Sequence, residues 1–203
     1  MLLNRVFDEV FRTWSNVAVM RALLDTNTGF SGNEVARVAG MHPRSAFKAL
    51  TLLENLGIVN RKIGGRDHIF SLNRENYLFR EAIQTVFKAE SNFRNLIMYN
   101  LASVLKGKVY SAVIFGSVAR KEENPLSDLD LCCIVNLKAD KSVVENALDK
   151  KSAMLYKKFG IKLATVFFTK SEFVRKKGTK LIKDIAHEGI LITGKNPKGL
   201  LNG

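Results

Sequence analysis

Apolar residues at Val6, Val10, Val17, Met20, Leu23 and Leu24 recur at three- and four-residue steps, which predicts a helix over residues 3–24. Asp25-Thr26-Asn27-Thr28-Gly29 ends it in turn chemistry. A short helix is predicted over 32–39, with Ser31 as N-cap, Glu34 completing a capping box and Gly40 as the stop. After Met41-His42-Pro43 a longer helix is predicted over 43–56, with Pro43 in its first turn and Gly57 closing it. Phe47, Leu50, Leu53 and Leu56 would form its apolar face, and Arg44, Ser45, Lys48 and Thr51 another. Two extended runs, 58–63 and 68–72, flank Gly64-Gly65-Arg66-Asp67, a hairpin signal. Residues 75–105 carry helical spacing without an internal Gly or Pro, predicting one long helix that stops at Gly107.

The pattern then changes. An apolar run at 110–115 stops at Gly116-Ser117, a polar excursion follows, and a second apolar run opens after Pro125 with Asp128-Leu129-Asp130. An amphipathic helix is predicted over 140–159, a strand over 161–168, and short helices over 171–177 (Ser171 as cap) and 181–187. A last extended run spans 189–192, and the tail is expected to fray. Strands and helices mixed in this way predict an α+β chain: residues 1–73 as one domain, 74–108 as a connecting helix, 109–203 as a second domain.

Composition narrows the class. With 46% apolar residues in 203, the chain has material for packed cores, and disorder is not the reading. No apolar run approaches the ~20 residues that span a bilayer, and the N-terminus lacks a signal-peptide pattern. The two cysteines, Cys132 and Cys133, are adjacent in a strand and would face opposite ways. That argues against a disulfide and makes a cytoplasmic location the expectation. Net charge is +13. Residues 109–203 hold seventeen basic against ten acidic side chains, and 1–73 hold nine against six. A surface this basic favours polyanions.

The candidate chemistry lies at 113–135. Side chains two apart on a strand share a face, so Asp128 and Asp130 would project together. Adjacent carboxylates repel unless a cation lies between them, and a hard divalent ion is the usual one. The Gly116-Ser117 turn offers backbone N–H groups and a hydroxyl to a phosphate. The three histidines, His42, His68 and His187, fall in separate elements and make no transition-metal pattern.

G-S-x-A-R at 116–120 and S-D-L-D-L at 127–131 resemble the signature of the polymerase-beta-type nucleotidyltransferases, and most nearly their minimal branch. The resemblance covers about the last half of the chain and implies a mixed sheet flanked by helices. It implies Mg²⁺ held by Asp128 and Asp130 as metal-binding and catalytic residues, and a nucleoside triphosphate, as substrate or effector, bound by Gly116, Ser117 and Arg120. The family usually adds a third carboxylate from a later strand. The matching run, I-K-L-A-T-V-F-F at 161–168, contains no acid, and Lys162 places a cation near the expected position. This departure leaves catalysis open while keeping metal–nucleotide binding.

The first 73 residues resemble a winged helix-turn-helix domain through S-G-N-E-V-A-R-V-A-G (31–40), H-P-R-S-A-F-K-A-L-T-L-L-E-N-L-G (42–57) and R-K-I-G-G-R (61–66). The resemblance implies double-stranded DNA as partner. His42, Arg44, Ser45 and Lys48 would meet bases and phosphates, and Arg61, Lys62 and Arg66 the backbone. A homodimer is compatible with it by analogy. Three readings stay open: a nucleotidyltransferase, a DNA-binding transcriptional regulator with a catalytically degenerate domain, and a toxin–antitoxin-like partner protein.

Overall fold

The computed structural model describes residues 2–64 and 67–201. The chain divides into two compact units, Met1–Ser91 and Asn92–Gly203.

In the first unit the periodicity of residues 3–24 resolves into two helices, α1 (Val6–Val10) and α2 (Trp14–Leu24), instead of one. Thr13 explains the break: its extended backbone and side-chain oxygen, which accepts from Asn16 N–H at 3.3 Å, start α2 afresh. A two-residue strand β1 (Phe30–Ser31), which the apolar pattern did not signal, leads into α3 (Gly32–Val38). The expected capping box is present there, with Ser31 and Glu34 bonded reciprocally. Helix α4 (Pro43–Asn55) follows, then β2 (Val59–Gly64) and β3 (Asp67–Leu72). These strands form an antiparallel sheet in the order β1-β3-β2. Val19, Met20, Leu23, Val35, Leu50, Leu53, Ile58 and Phe70 are buried in one core between the helices and this sheet. Phe47 is not part of the buried face of α4. It is 42% exposed, its ring covering Gly32, where any Cβ would strike it.

The long helix begins later and less regularly than its spacing predicts. A π-helical stretch (Phe79–Ile83) precedes α5 (Gln84–Leu105), and Asn76 accepts from Phe79 N–H at 3.1 Å at its entry. The division between the units falls within α5. Phe87 belongs to the first core, and Ile97, Leu101 and Leu105 belong to a core of the second unit.

The second unit is a four-stranded mixed sheet, in the order β6-β5-β4-β7. Its strands are β4 (Ser111–Ile114), β5 (Leu129–Val135), β6 (Leu163–Thr169) and β7 (Ile190–Gly194). β5 and β6 are parallel; β4 runs antiparallel to both β5 and β7. Strand alternation sorts side chains between two faces. Ala112, Ile114, Leu131 and Cys133 pack with Leu101, Leu105 and, from α7 (Asp140–Phe159), Val144 and Leu148. Val113, Cys132 and Ile134 pack on the other side. There they meet Phe173 of α8 (Lys170–Arg175), and Ile182 and Ile185 of α9 (Lys180–His187). Both cysteines are therefore buried on opposite faces, free, with burial pushing the thiols up, Cys133 to about 12.

Two ends differ from the sequence expectation. Thr169, not Ser171, caps α8, forming a capping box with Glu172: β6 runs one residue past its predicted end and α8 starts directly after it at Lys170. The tail holds a helical turn, α10 (Lys198–Leu201), where Leu200 and Leu201 pack on the α8–α9 core. No helix among the described residues is long and apolar enough to cross a membrane.

Candidate functional site

Strand β4 ends at Ile114, and Gly116 opens the five-residue helix α6 (Gly116–Arg120) with φ +72°. A residue with a Cβ is strained at that φ. The space is also taken: a Cβ on Gly116 would collide with the Asp130 carboxylate. The glycine thus serves twice, turning the chain and letting a carboxylate lie against its backbone. Phe115 N–H donates to Asp130 C=O at 3.0 Å, which ties the turn to the start of β5.

Asp130 is half-buried on the sheet face shared with Cys132, and Asp128 is exposed one residue before β5 begins. The two carboxylates feel each other. Burial pushes the Asp130 carboxyl up, the charge of Asp128 adds to this, and Arg120 partly offsets it. Ser117 stands half-buried in the first turn of α6. Arg120 Nε donates to Glu122 at 2.8 Å, and its guanidinium lies 3.8 Å from Glu188 at the end of α9. Pairing of Arg120 with Glu188 joins residues 68 positions apart, which no local pattern announces.

The parallel register of β5 and β6 locates the position next to the carboxylates. Asp130 pairs with Ala164, and Leu129 N–H donates to Lys162 C=O at 2.8 Å. Paired residues on parallel strands face the same way, so a methyl group stands where a third carboxylate would complete the set. Among the described residues no group of three or more His, Cys, Asp or Glu side chains is placed to hold a metal ion. The donor set that remains, two aspartates, is hard and anionic. Its chemistry would fit a hard divalent ion such as Mg²⁺, with Asp128 and Asp130 as the residues that would hold it.

In the first unit, His42 is the N-cap of α4, its Nδ1 accepting from Arg44 N–H at 3.2 Å. Arg44, Ser45 and Lys48 are exposed on α4. Ser45 and Lys48 line a groove of about 600 Å³ together with Glu9, Arg12 and Thr13. On β2, Arg61 is held by Glu54 of α4 at 3.1 Å, and Lys62 is exposed. Arg66 lies outside the described residues.

The second unit is thus a layered unit of mixed sheet and helices with Asp130 seated against a glycine turn at one end of its sheet. Residues 100–192, within the second unit, match the family model of the nucleotidyltransferase domain. Among solved structures, the chain is similar to a mutant MntA–HpeT toxin–antitoxin crystal structure, with 16% identity over 55% of this chain and 81% of that one (TM-score 0.35). It is also similar to TrmBL2, an archaeal chromatin protein described as having a novel mode of DNA binding. There the identity is 18% over 87% of this chain and 71% of that one (TM-score 0.29). No curated protein matches this chain.

Proposed function

We propose that this chain is a DNA-binding protein whose nucleotidyltransferase domain binds a Mg²⁺–nucleoside triphosphate. The observation that carries the nucleotide half is the close seating of Asp130 against Gly116. A carboxylate whose charge is disfavoured by burial and by the neighbouring Asp128, fixed against a glycine turn, is a costly arrangement for a sheet that needs only packing. Asp128 and Asp130 would hold the ion, and Gly116 and Ser117 would meet the triphosphate. When bound, Mg²⁺ would supply charge neutralisation to the phosphate oxygens.

Ala164 beside Asp130 favours binding over two-metal transfer, and makes the nucleotide an effector in this reading. The DNA half is supported by α3, α4 and the β2–β3 hairpin, whose order and capping suit a winged helix-turn-helix. The exposed Arg44, Lys48 and Lys62 add a cationic surface to it, with the Ser45 hydroxyl exposed beside them.

Titration calorimetry with each nucleoside triphosphate tests the first half. Saturable, Mg²⁺-dependent binding is expected, reduced about a hundredfold by Asp128→Asn with Asp130→Asn. Binding that ignores Mg²⁺ or these changes would sink the assignment. Transfer of labelled α-phosphate to any acceptor, abolished by the same changes, would replace the effector reading with the enzymatic one.

A further inference from the structure

The carboxylates stand where β5 begins. A different cluster gathers where β5 and β6 end. Val135 and Thr169, the last residues of the two parallel strands, line a cavity of about 130 Å³ with Lys138, Lys141, Phe167, Phe168, Glu172 and Lys176. The cavity lies at the carboxyl ends of the only parallel strand pair among the described residues of this sheet, away from the aspartates.

Three lysines, Lys138, Lys141 and Lys176, line one small space. Two of them are positioned by aromatic rings: Lys141 Nζ lies 5.4 Å from the centre of Phe167, and Lys176 Nζ lies 5.4 Å from that of Phe168. The single acid in the lining is already engaged, since Glu172 accepts from Thr169 N–H at 2.8 Å in the capping box. Among the described residues none of the three lysines forms an ion pair within 4 Å; Glu172, whose ionised form Lys138 favours, offsets one of the three charges and leaves the lining net positive. Like charges held together by the fold lower their repulsion by taking up an anion.

We propose that this cavity is a second anion site, distinct from the aspartate turn, that binds one phosphate group. Size selects the class. The volume lies below the ~300–1,000 Å³ of pockets that enclose a drug-sized ligand. It admits a phosphate but leaves a nucleoside outside. A planar carboxylate offers two oxygens to the three lysines that line the cavity from α7, the loop before it and the end of α8, whereas a tetrahedral phosphate offers more. The site does not depend on the proposed function, because it shares no residue with it.

The test is calorimetry on the full chain at low salt without Mg²⁺, using inorganic phosphate in one arm and glycerol phosphate in the other. Saturable binding of phosphate is expected, weakened about tenfold or more by Lys141→Gln with Lys176→Gln, and unchanged in Asp128→Asn. Preference for inorganic phosphate would assign a free anion; equal binding of both would assign an esterified one. Either supports the site. Lys141→Arg with Lys176→Arg keeps the charge and should bind within a few-fold of wild type, which guards against loss of folding in the glutamine variant. No saturable binding of either anion, or full retention in the glutamine variant, would overturn the proposal.

Discussion

In the second unit the candidate chemistry is wedged into the backbone: Asp130 lies against Gly116, and Phe115 N–H bonds to Asp130 C=O. In the first unit it stands clear of the backbone, on the exposed cations Arg44, Lys48 and Lys62 along a helix and a hairpin strand. A wedged site is set by a few contacts and fails abruptly when one is changed. A set of solvated cations acts by summed charge and fails by degrees. The two units should therefore answer substitution on different scales.

Gly116→Ala should produce the largest response. A left-handed backbone disfavours a Cβ by roughly 1–2 kcal/mol, and forcing an atom into a filled space by roughly 1–3 more. Urea unfolding should report a loss of about 3 kcal/mol, and nucleotide binding should vanish. Gly107→Ala is the matched control, because Gly107 also has positive φ (+78°) but nothing within 4 Å of the added carbon. It should show the backbone part alone. Equal losses in the two variants would mean that the seat of Asp130 is looser than the geometry implies.

The cations of the first unit should respond in smaller, additive steps. Lys48→Ala and Lys62→Ala should each flatten the dependence of DNA affinity on salt by about one unit of slope, whatever the DNA sequence. Arg44→Ala should also alter sequence preference. Glu54→Gln releases Arg61 from its ion pair and should strengthen binding slightly. An all-or-none loss from any one of these changes would break the contrast with the wedged site. Fluorescence anisotropy over a salt series measures all four.

How far the sequence revealed this arrangement follows from the range of each interaction. Period and capping are local, so α3, α4, the β2–β3 hairpin and the run into Asp128-x-Asp130 could be read directly. Thr13 was readable too, as a polar cap inside an apolar pattern, but periodicity alone carried the helix across it. The missing carboxylate was visible as a strand without acids; that Ala164 is the residue beside Asp130 required the pairing register. Strand β1 is too short to leave a pattern and exists because Phe30 and Ser31 pair with Phe70 and Ile69. Neither the Arg120–Glu188 pair nor the three-lysine cavity was predictable, since each joins elements that only the fold brings together.

His42 sharpens the contrast at a smaller scale. It was expected to meet DNA, yet its Nδ1 accepts from Arg44 N–H and caps α4. Loss of a cap costs about 1 kcal/mol. His42→Ala should lower stability by about that amount, and His42→Ser should restore it. If DNA affinity falls in both variants while stability recovers in the second, the ring meets DNA as well. Recovery of both properties together would leave it a cap alone.

The smallest expected effect compares the two capping boxes, one in each unit. Glu34 accepts from Ser31 N–H and Oγ, both at 2.8 Å, and Glu172 accepts from Thr169 N–H at 2.8 Å. The backbone hydrogen bond is the main reason each carboxyl is held below its ordinary value of 4.5. A group lowered in the folded state adds stability above its unfolded value and loses it as pH falls through the folded one. Glu34→Gln and Glu172→Gln keep an acceptor but remove the charge, so each should lower the melting temperature slightly at about pH 7, with the gap closing as pH falls below the ordinary carboxyl value of 4.5. Lys138 and Arg175 both favour the ionised Glu172, whereas only Arg37 does so for Glu34. Added salt should therefore shrink the Glu172 effect more than the Glu34 effect. A gap that stays constant with pH would show that the glutamates act through packing and not through charge. Equal salt sensitivity would remove the distinction between a box that only starts a helix and one that also faces the three lysines.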